Sequence, residues 1–342
     1  MTSAIPESRS VLVTGGAGFI GSELVRQLVE LGHRVVAVDS LVNGRREHLQ
    51  GLPQDRCRLV VADVRDRTAV QPLLGAADVV FHLACLGVRH SIHSPRENHE
   101  VNATATLELV EAARHLSVPR FVYVSSSEVY GTASRVPMAE DQPTSPTTVY
   151  GASKLAGECY ALAAWRTHGY PVVVVRPFNT YGPRSHHEGD SGEVIPKFML
   201  RALAGQPLVL FGDGAQTRDF TFVADTARGI LGAGFAPDVV GEVINLGNGR
   251  ETAIGDLARE VGRIVERDVR IEYAAPRPGD VGRLLADVGK ARERLGFQPS
   301  YSLQDGLRAL RGWYESQPET PQALLAREVL INWTREGAEG GR

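Results

Sequence analysis

The stretch Val149-Tyr150-Gly151-Ala152-Ser153-Lys154 sets a phenol and an amine four residues apart at the head of an apolar-periodic run over 149–167. In a helix the two side chains share a face, with Cβ atoms roughly 5–6 Å apart. A tyrosine near its ordinary pKa of about 10 is a poor base at neutral pH. A close positive charge favours the phenolate and draws that pKa towards the working range, which makes the pair a candidate general base. The pattern is short and common, and a helix-capping tyrosine followed by a solvated lysine also satisfies it. Its weight depends on the elements that would hold it.

Those elements begin far upstream. An apolar strand-like run over 9–14 leads at once into Gly15-Gly16-Ala17-Gly18-Phe19-Ile20-Gly21, and then into helical periodicity over 22–31. Gly16, Gly18 and Gly21 satisfy G-x-G-x-x-G, and Gly15, Gly18 and Gly21 satisfy G-x-x-G-x-x-G. Glycines so spaced allow a tight turn, a close backbone approach to a pyrophosphate and helix-on-strand packing. The helix N-terminus adds N–H groups and a positive dipole end. The context this motif needs is present: a strand before, a helix after, and a second strand over 33–38 ending in Asp39, about 20 residues on. An acidic residue there accepts both ribose hydroxyls and repels a 2′-phosphate, so the expected cofactor is NAD rather than NADP, with Arg45 and Arg46 nearby. Gly15, Gly18, Phe19, Ile20, Gly21 and Asp39 are therefore expected to bind it.

Further strand-like runs over 58–61, 78–83, 120–124 and 172–176 alternate with helical stretches. That alternation predicts an α/β fold, a doubly wound parallel sheet of Rossmann type whose ligand lies at the carboxyl ends of the strands. Asp63 and Val64 sit at one such end, where Asp63 is placed for the adenine edge. Leu83 and Ala84 sit at another, beneath the pyrophosphate and ribose. Asn102, on a helix expected over 96–115, reads either as a buried hydrogen-bonding residue or as a functional one. Beyond residue 178 the alternation is less regular and richer in Gly and Pro, as expected of a smaller substrate-binding lobe that intermixes with the first. The expected organisation is a cofactor domain over 1–178, a lobe over 179–316, and a tail over 317–342 containing one amphipathic run, 321–333.

The whole-chain balance excludes several classes. With 342 residues, 43% hydrophobic, and 36 glycines, the chain has the composition of a globular α/β protein. A formal charge of −3 argues against a nucleic-acid surface. No apolar run approaches the roughly 18–20 residues of a membrane span, and residues 1–10 lack a signal-peptide apolar region, so no membrane association and a cytoplasmic location are expected. Cys57, Cys85 and Cys159 are scattered and odd in number, and read as reduced thiols.

The strand over 120–124 runs into Ser125-Ser126-Ser127-Glu128-Val129-Tyr130-Gly131. Glycine loop, acidic ribose ligand, strand-end serines and Tyr-x-x-x-Lys, in that order, resemble the extended short-chain dehydrogenase/reductase family. Within it the chain is most similar to the nucleotide-sugar branch of UDP-hexose 4-epimerases, 4,6-dehydratases and UDP-glucuronate decarboxylases, over about residues 9 to 316. The resemblance implies that Ser126 is the catalytic hydroxyl and Tyr150 the base, with Lys154 holding the ribose and lowering the tyrosine pKa. It implies a transient 4-keto sugar, a UDP-sugar or other nucleotide-sugar substrate, and a homodimer formed through the helices over 96–115 and 149–167. Ser127 and Glu128 bear on the reaction. The dehydratases carry Asp-Glu there, decarboxylases typically Ser-Glu, and simple epimerases small or neutral residues, whereas the form Tyr150-Gly151-Ala152-Ser153-Lys154 looks more like the epimerases. The expectation is a 4-epimerase, with decarboxylation or dehydration through Glu128 as the alternative and a silent NAD-binding regulator behind both. Glu128 also reads as a carboxylate that only bonds backbone amides.

In the second half the resemblance assigns Asn179, in Pro177-Phe178-Asn179-Thr180-Tyr181-Gly182-Pro183-Arg184, to the sugar nucleotide. It assigns Arg218 of Thr217-Arg218-Asp219-Phe220 and Arg277 of Arg277-Pro278-Gly279-Asp280 to its diphosphate. A guanidinium suits that task because it donates two parallel hydrogen bonds. The polar, glycine-containing stretch 185–192 reads as a surface loop near the substrate entrance. Its His186, His187 and Glu188 do not make a complete ligand set, and no metal is expected.

Overall fold

The computed structural model describes residues 8–189, 191–277, 281–331 and 333. Pro278, Gly279 and Asp280 of the Arg-Pro-Gly-Asp motif, and the polar end of the tail beyond Trp333, lie outside the described residues.

Strands β1 (Ser10–Thr14), β2 (Arg34–Asp39), β3 (Cys57–Val61), β4 (Val79–His82), β5 (Arg120–Val124) and β6 (Val172–Pro177), with a seventh strand, Val243–Leu246, form one parallel sheet. The spatial order is Val243–Leu246, β6, β5, β4, β1, β2, β3. The central strands read as unbroken apolar runs because helices cover both of their faces, and all six residues of β6 are buried. The chain reverses its direction of winding between β1 and β4, which pair Val11 with Val79 and Thr14 with His82. A crevice opens at such a switch point, outside the carboxyl ends of the strands.

The expected boundary at residue 178 is not a wall in space. Helix Val223–Phe235 and strand Val243–Leu246 return to the first core, where Ile230, Ala233, Ile244 and Leu246 pack with Val13, Phe81 and Val175. The second core is built from helices Val194–Leu203, Ile254–Val265 and Leu303–Glu315, together with the parallel pair Leu208–Phe211 and Ile271–Ala274.

Local chemistry explains where element ends differ from expectation. The first helix is Phe19–Glu30 and begins inside the glycine turn, three residues before the periodicity does. Gly21, a poor helix former, masks the start. It is required nonetheless, because a Cβ there would lie 2.0 Å from the Gly15 carbonyl oxygen. The helix expected over 96–115 is broken by a π-helical turn, Glu100–Thr104, between Pro95–His99 and Ala105–His115. Helix Val149–His168 is capped by Thr148, whose Oγ1 accepts from Gly151 N at 3.0 Å, so Tyr150 is not the cap. Among the described residues no helix is long and apolar enough to cross a membrane.

Candidate active site

A cavity of about 600 Å³ opens at the switch point between the two lobes. It is bordered by every residue the sequence singles out for cofactor, catalysis or substrate. Gly15, Gly18, Phe19, Ile20, Gly21, Asp39, Asp63, Val64, Leu83 and Ala84 line one end. Ser126, Ser127, Glu128, Tyr150 and Lys154 lie on its wall, as do Asn179, Arg218 and Arg277 from the second lobe.

The dinucleotide end is built from strand termini. Helix Phe19–Glu30 has no side-chain cap at Gly18 and no acid in its first turn, so its N–H groups and dipole are offered to an anion. The Asp39 carboxylate is 7% exposed and accepts from Ala17 N (3.0 Å) and Leu41 N (2.8 Å), which fixes it beneath the turn. Burial raises its pKa, opposed by those backbone donors. Gly44 closes over it, since a Cβ there would stand 2.5 Å from Asp39 Oδ1. His82 bonds Thr14 Oγ1 (2.7 Å) and Thr106 Oγ1 (2.9 Å), while burial and the Lys154 charge lower its pKa to about 3 and keep the ring neutral. The ring thereby ties the ends of β1 and β4, and Thr14 Oγ1 accepts from Ala84 N at 3.2 Å. Asp63 is already engaged, with Arg65 donating to Oδ1 from Nε (3.0 Å) and to Oδ2 from Nη2 (2.7 Å). Arg45 ion-pairs with Glu188 of the 185–192 loop.

Asn102 takes the structural role. Its Oδ1 accepts from Leu86 N (2.8 Å) and its Nδ2 donates to Leu86 O (2.9 Å), with Asn98 Nδ2 donating to the same carbonyl. The two asparagines stand four residues apart and so share one helix face, with Asn102 Nδ2 also donating to Asn98 Oδ1 at 3.1 Å. A 3.6-residue period does not foretell the π-helical turn that holds Asn102.

At the catalytic wall, Ser126 follows β5 by two residues, accepts from Glu128 N at 3.2 Å, and favours the ionised form of the Tyr150 phenol. Lys154 is 2% exposed and donates from Nζ to the Val124 carbonyl at 2.8 Å. The expected lowering of the tyrosine pKa is not what the chain produces. The phenol is raised well above its ordinary value, first by burial, then by Cys85, Glu128 and Glu193, with Ser126 pulling the other way. Burial also lowers the Lys154 ammonium. Desolvation and three acidic neighbours therefore outweigh the helix-turn spacing of phenol and amine.

Cys85, Gly44 and Glu193 belong to the cavity without any motif to announce them. Glu193 is half-buried at the start of helix Val194–Leu203, and burial raises its carboxyl to about 8. Only its place one residue before an apolar helix marks it in the sequence. Because the folded-state pKa exceeds the ordinary 4.5, the stability carried by the neutral acid is full below about pH 4.5 and is lost as pH rises to about 8. Glu193→Gln, which cannot ionise, is expected to gain thermal stability over the wild type progressively across that window. A melting-temperature difference independent of pH would refute this.

The substrate end holds an unsatisfied group that fits a ligand: Asn179 Oδ1 is buried without a hydrogen-bond partner among the described residues. Arg218 donates from Nη1 to Thr217 O (2.8 Å) and Val281 O (2.7 Å), and borders the cavity beside the second lobe. Of the loop residues, His186, Ser191 and Gly192 line the cavity, whereas the His187 ring stands edge-on to Tyr314 at 5.7 Å between centroids. Glycine turn, uncapped helix and enclosed carboxylate thus fit a pyrophosphate-bridged dinucleotide, with Lys154 as a donor on its far side.

Comparison with known proteins agrees. The GDP-mannose 4,6 dehydratase family model matches residues 12–310. The UDP-glucose 4-epimerase of Mycolicibacterium smegmatis is 38% identical over 300 residues, 86% of this chain and 95% of that protein. UDP-glucuronic acid decarboxylase 1 of Arabidopsis thaliana is 34% identical over 304 residues, 87% of this chain and 68% of its own length. The solved dTDP-glucose 4,6-dehydratase of Streptomyces venezuelae, which has NAD bound, superposes with a TM-score of 0.84 at 34% identity, covering 90% of this chain and 97% of that one. Three reactions appear among the names of these relatives. The chain accordingly belongs to the extended short-chain dehydrogenase/reductase family, in its NAD-dependent nucleotide-sugar branch of epimerases, dehydratases and decarboxylases.

Proposed function

We propose that this protein is a UDP-sugar 4-epimerase that retains NAD and works through a transient 4-keto sugar. The observation that carries the reading is the convergence of the Ser126 hydroxyl and the Tyr150 phenol on the cavity, with a hydroxyl, Ser127, where the dehydratases of the branch carry their acid. Tyr150 takes the proton of the sugar 4-hydroxyl, Ser126 bonds both oxygens during the transfer, and Lys154 holds the ribose. Asn179 offers its buried Oδ1 to the substrate, and Arg218 and Arg277 meet the diphosphate. NAD, when bound, supplies a reversible hydride acceptor and a positive charge that favours the phenolate. That charge matters here because burial, Cys85, Glu128 and Glu193 all oppose ionisation of Tyr150. Assembly as a homodimer belongs to the same reading.

One observation favours a second reading, decarboxylation of a UDP-uronate: Glu128 borders the cavity within electrostatic reach of Tyr150. Incubation with UDP-glucose, UDP-N-acetylglucosamine and UDP-glucuronate, read by product mass and sugar stereochemistry, separates the two. Unchanged mass with inverted C4 is expected. Loss of carbon dioxide from UDP-glucuronate would replace the epimerase reading with the second, and inertness towards all three would remove both.

A further inference from the structure

The tail after residue 316 lies beyond the family match, which ends at residue 310, and it carries no motif. It does not trail away. After the short helix Pro321–Leu325, with Leu324 buried in the second core, the chain turns back along the substrate lobe. Gly189 N donates to Arg327 O at 2.8 Å, Lys197 Nζ donates to Val329 O at 2.7 Å, and Arg201 grips Glu328 through two hydrogen bonds of 3.1 and 2.7 Å. Glu328 and Leu330 thereby become part of the cavity wall shared with Tyr150 and Arg277. At the end of this strip the Trp333 ring meets Phe211 edge-on, with centroids 4.7 Å apart. The Arg277 guanidinium carbon lies 4.8 Å from the Phe211 centroid and 4.9 Å from that of Trp333.

We propose that the tail completes the anion-binding end of the substrate cavity, with Trp333 as a positioning residue that holds the Arg277 guanidinium towards the diphosphate of a nucleotide sugar. This rests on the nucleotide-sugar reading given above. An arginine on a surface loop samples many rotamers, and each hydrogen bond to phosphate must repay their loss. A guanidinium already packed against two rings has less to lose. The surroundings suit an anion. Lys197 is crowded by Arg277, Arg89 and Arg201, and the carboxylate beside it, Glu328, is supplied by the tail itself. Burial, with those arginines, lowers the Lys197 ammonium to about 8 even though Glu328 pulls it up. A diphosphate entering this end would relieve the repulsion.

The test uses the full-length, NAD-loaded protein, with UDP and uridine as calorimetric probes. Trp333→Ala is expected to weaken UDP about tenfold, the size of a desolvated cation–ring contact, and to leave uridine unchanged. KM for the UDP-sugar should rise by the same factor with kcat unchanged, and Trp333→Phe should restore both. Trp333→Leu keeps the bulk without the ring, so it must behave as Trp333→Ala and serves in its place should the alanine variant fold poorly. Equal weakening of UDP and uridine, or wild-type UDP affinity in the alanine and leucine variants, would overturn the assignment. Failure of the wild type itself to bind UDP would overturn it together with the nucleotide-sugar reading, a result distinguishable because no variant is then involved.

Discussion

Tyr150→Phe is expected to lower kcat by about 10³-fold or more, the upper part of the range for loss of a positioned acid–base group. The substitution deletes one oxygen and keeps the ring, so the buried volume of the site is preserved. What disappears is the phenol that borders the cavity near the Ser126 hydroxyl, and with it the proposed acceptor of the sugar proton. Burial and acidic neighbours hold the phenol well above its ordinary pKa, so removing its oxygen strands no charge. Folding and dinucleotide content should therefore match the wild type. Turnover of the UDP-sugar under saturating conditions, measured with cofactor occupancy by absorbance, checks both halves. Wild-type turnover in the variant would remove Tyr150 from the chemistry. Lost cofactor would instead give it a binding role.

The second large effect concerns stability. Helix Val149–His168, which carries Tyr150 and Lys154, is pinned to β6 by a buried ion pair in which Arg176 donates to Glu158 at 2.9 and 2.6 Å. The two side chains are 6% and 2% exposed, and the Arg176 guanidinium also lies 4.7 Å from the Tyr130 ring centroid. Glu158→Ala strands a charge in the core and is expected to cost about 3–5 kcal/mol in urea unfolding. The physical cause is the unpaired charge rather than the lost attraction. Replacing both partners, Glu158→Leu with Arg176→Met, is therefore expected to recover most of that loss. A single variant as stable as the wild type would show that water reaches Arg176. A double variant no better than the single would show that shape, not charge, holds this joint.

The split among relatives has a physical counterpart in this site. Relatives named for epimerisation, decarboxylation and dehydration match this chain about equally well, so the fold-level match does not choose among the three. The outcome turns on which groups stand beside the sugar. Ser127, Glu128 and Glu193 line the cavity, Glu193 arriving from the second lobe.

What the sequence by itself determined are the features written in short, contiguous spacings. The alternation of apolar and helical runs implies the parallel sheet. The glycine spacing at Gly15, Gly18 and Gly21 with Asp39 downstream implies the dinucleotide end, and Tyr150 and Lys154 four residues apart must share a helix face. Each of these follows from backbone geometry over a few residues, so no distant partner is needed to read it.

The tertiary structure alone decided the direction in which that tyrosine's pKa moves, because its burial and its neighbours Cys85, Glu128 and Glu193 come from segments far apart in the chain. It alone decided that Asn102 serves the Leu86 backbone, that Glu328 and Leu330 of the tail line the cavity, and that Trp333 packs against Phe211 and Arg277. Desolvation and long-range contact are properties of a packed interior. They have no period, and so leave no pattern in the order of residues.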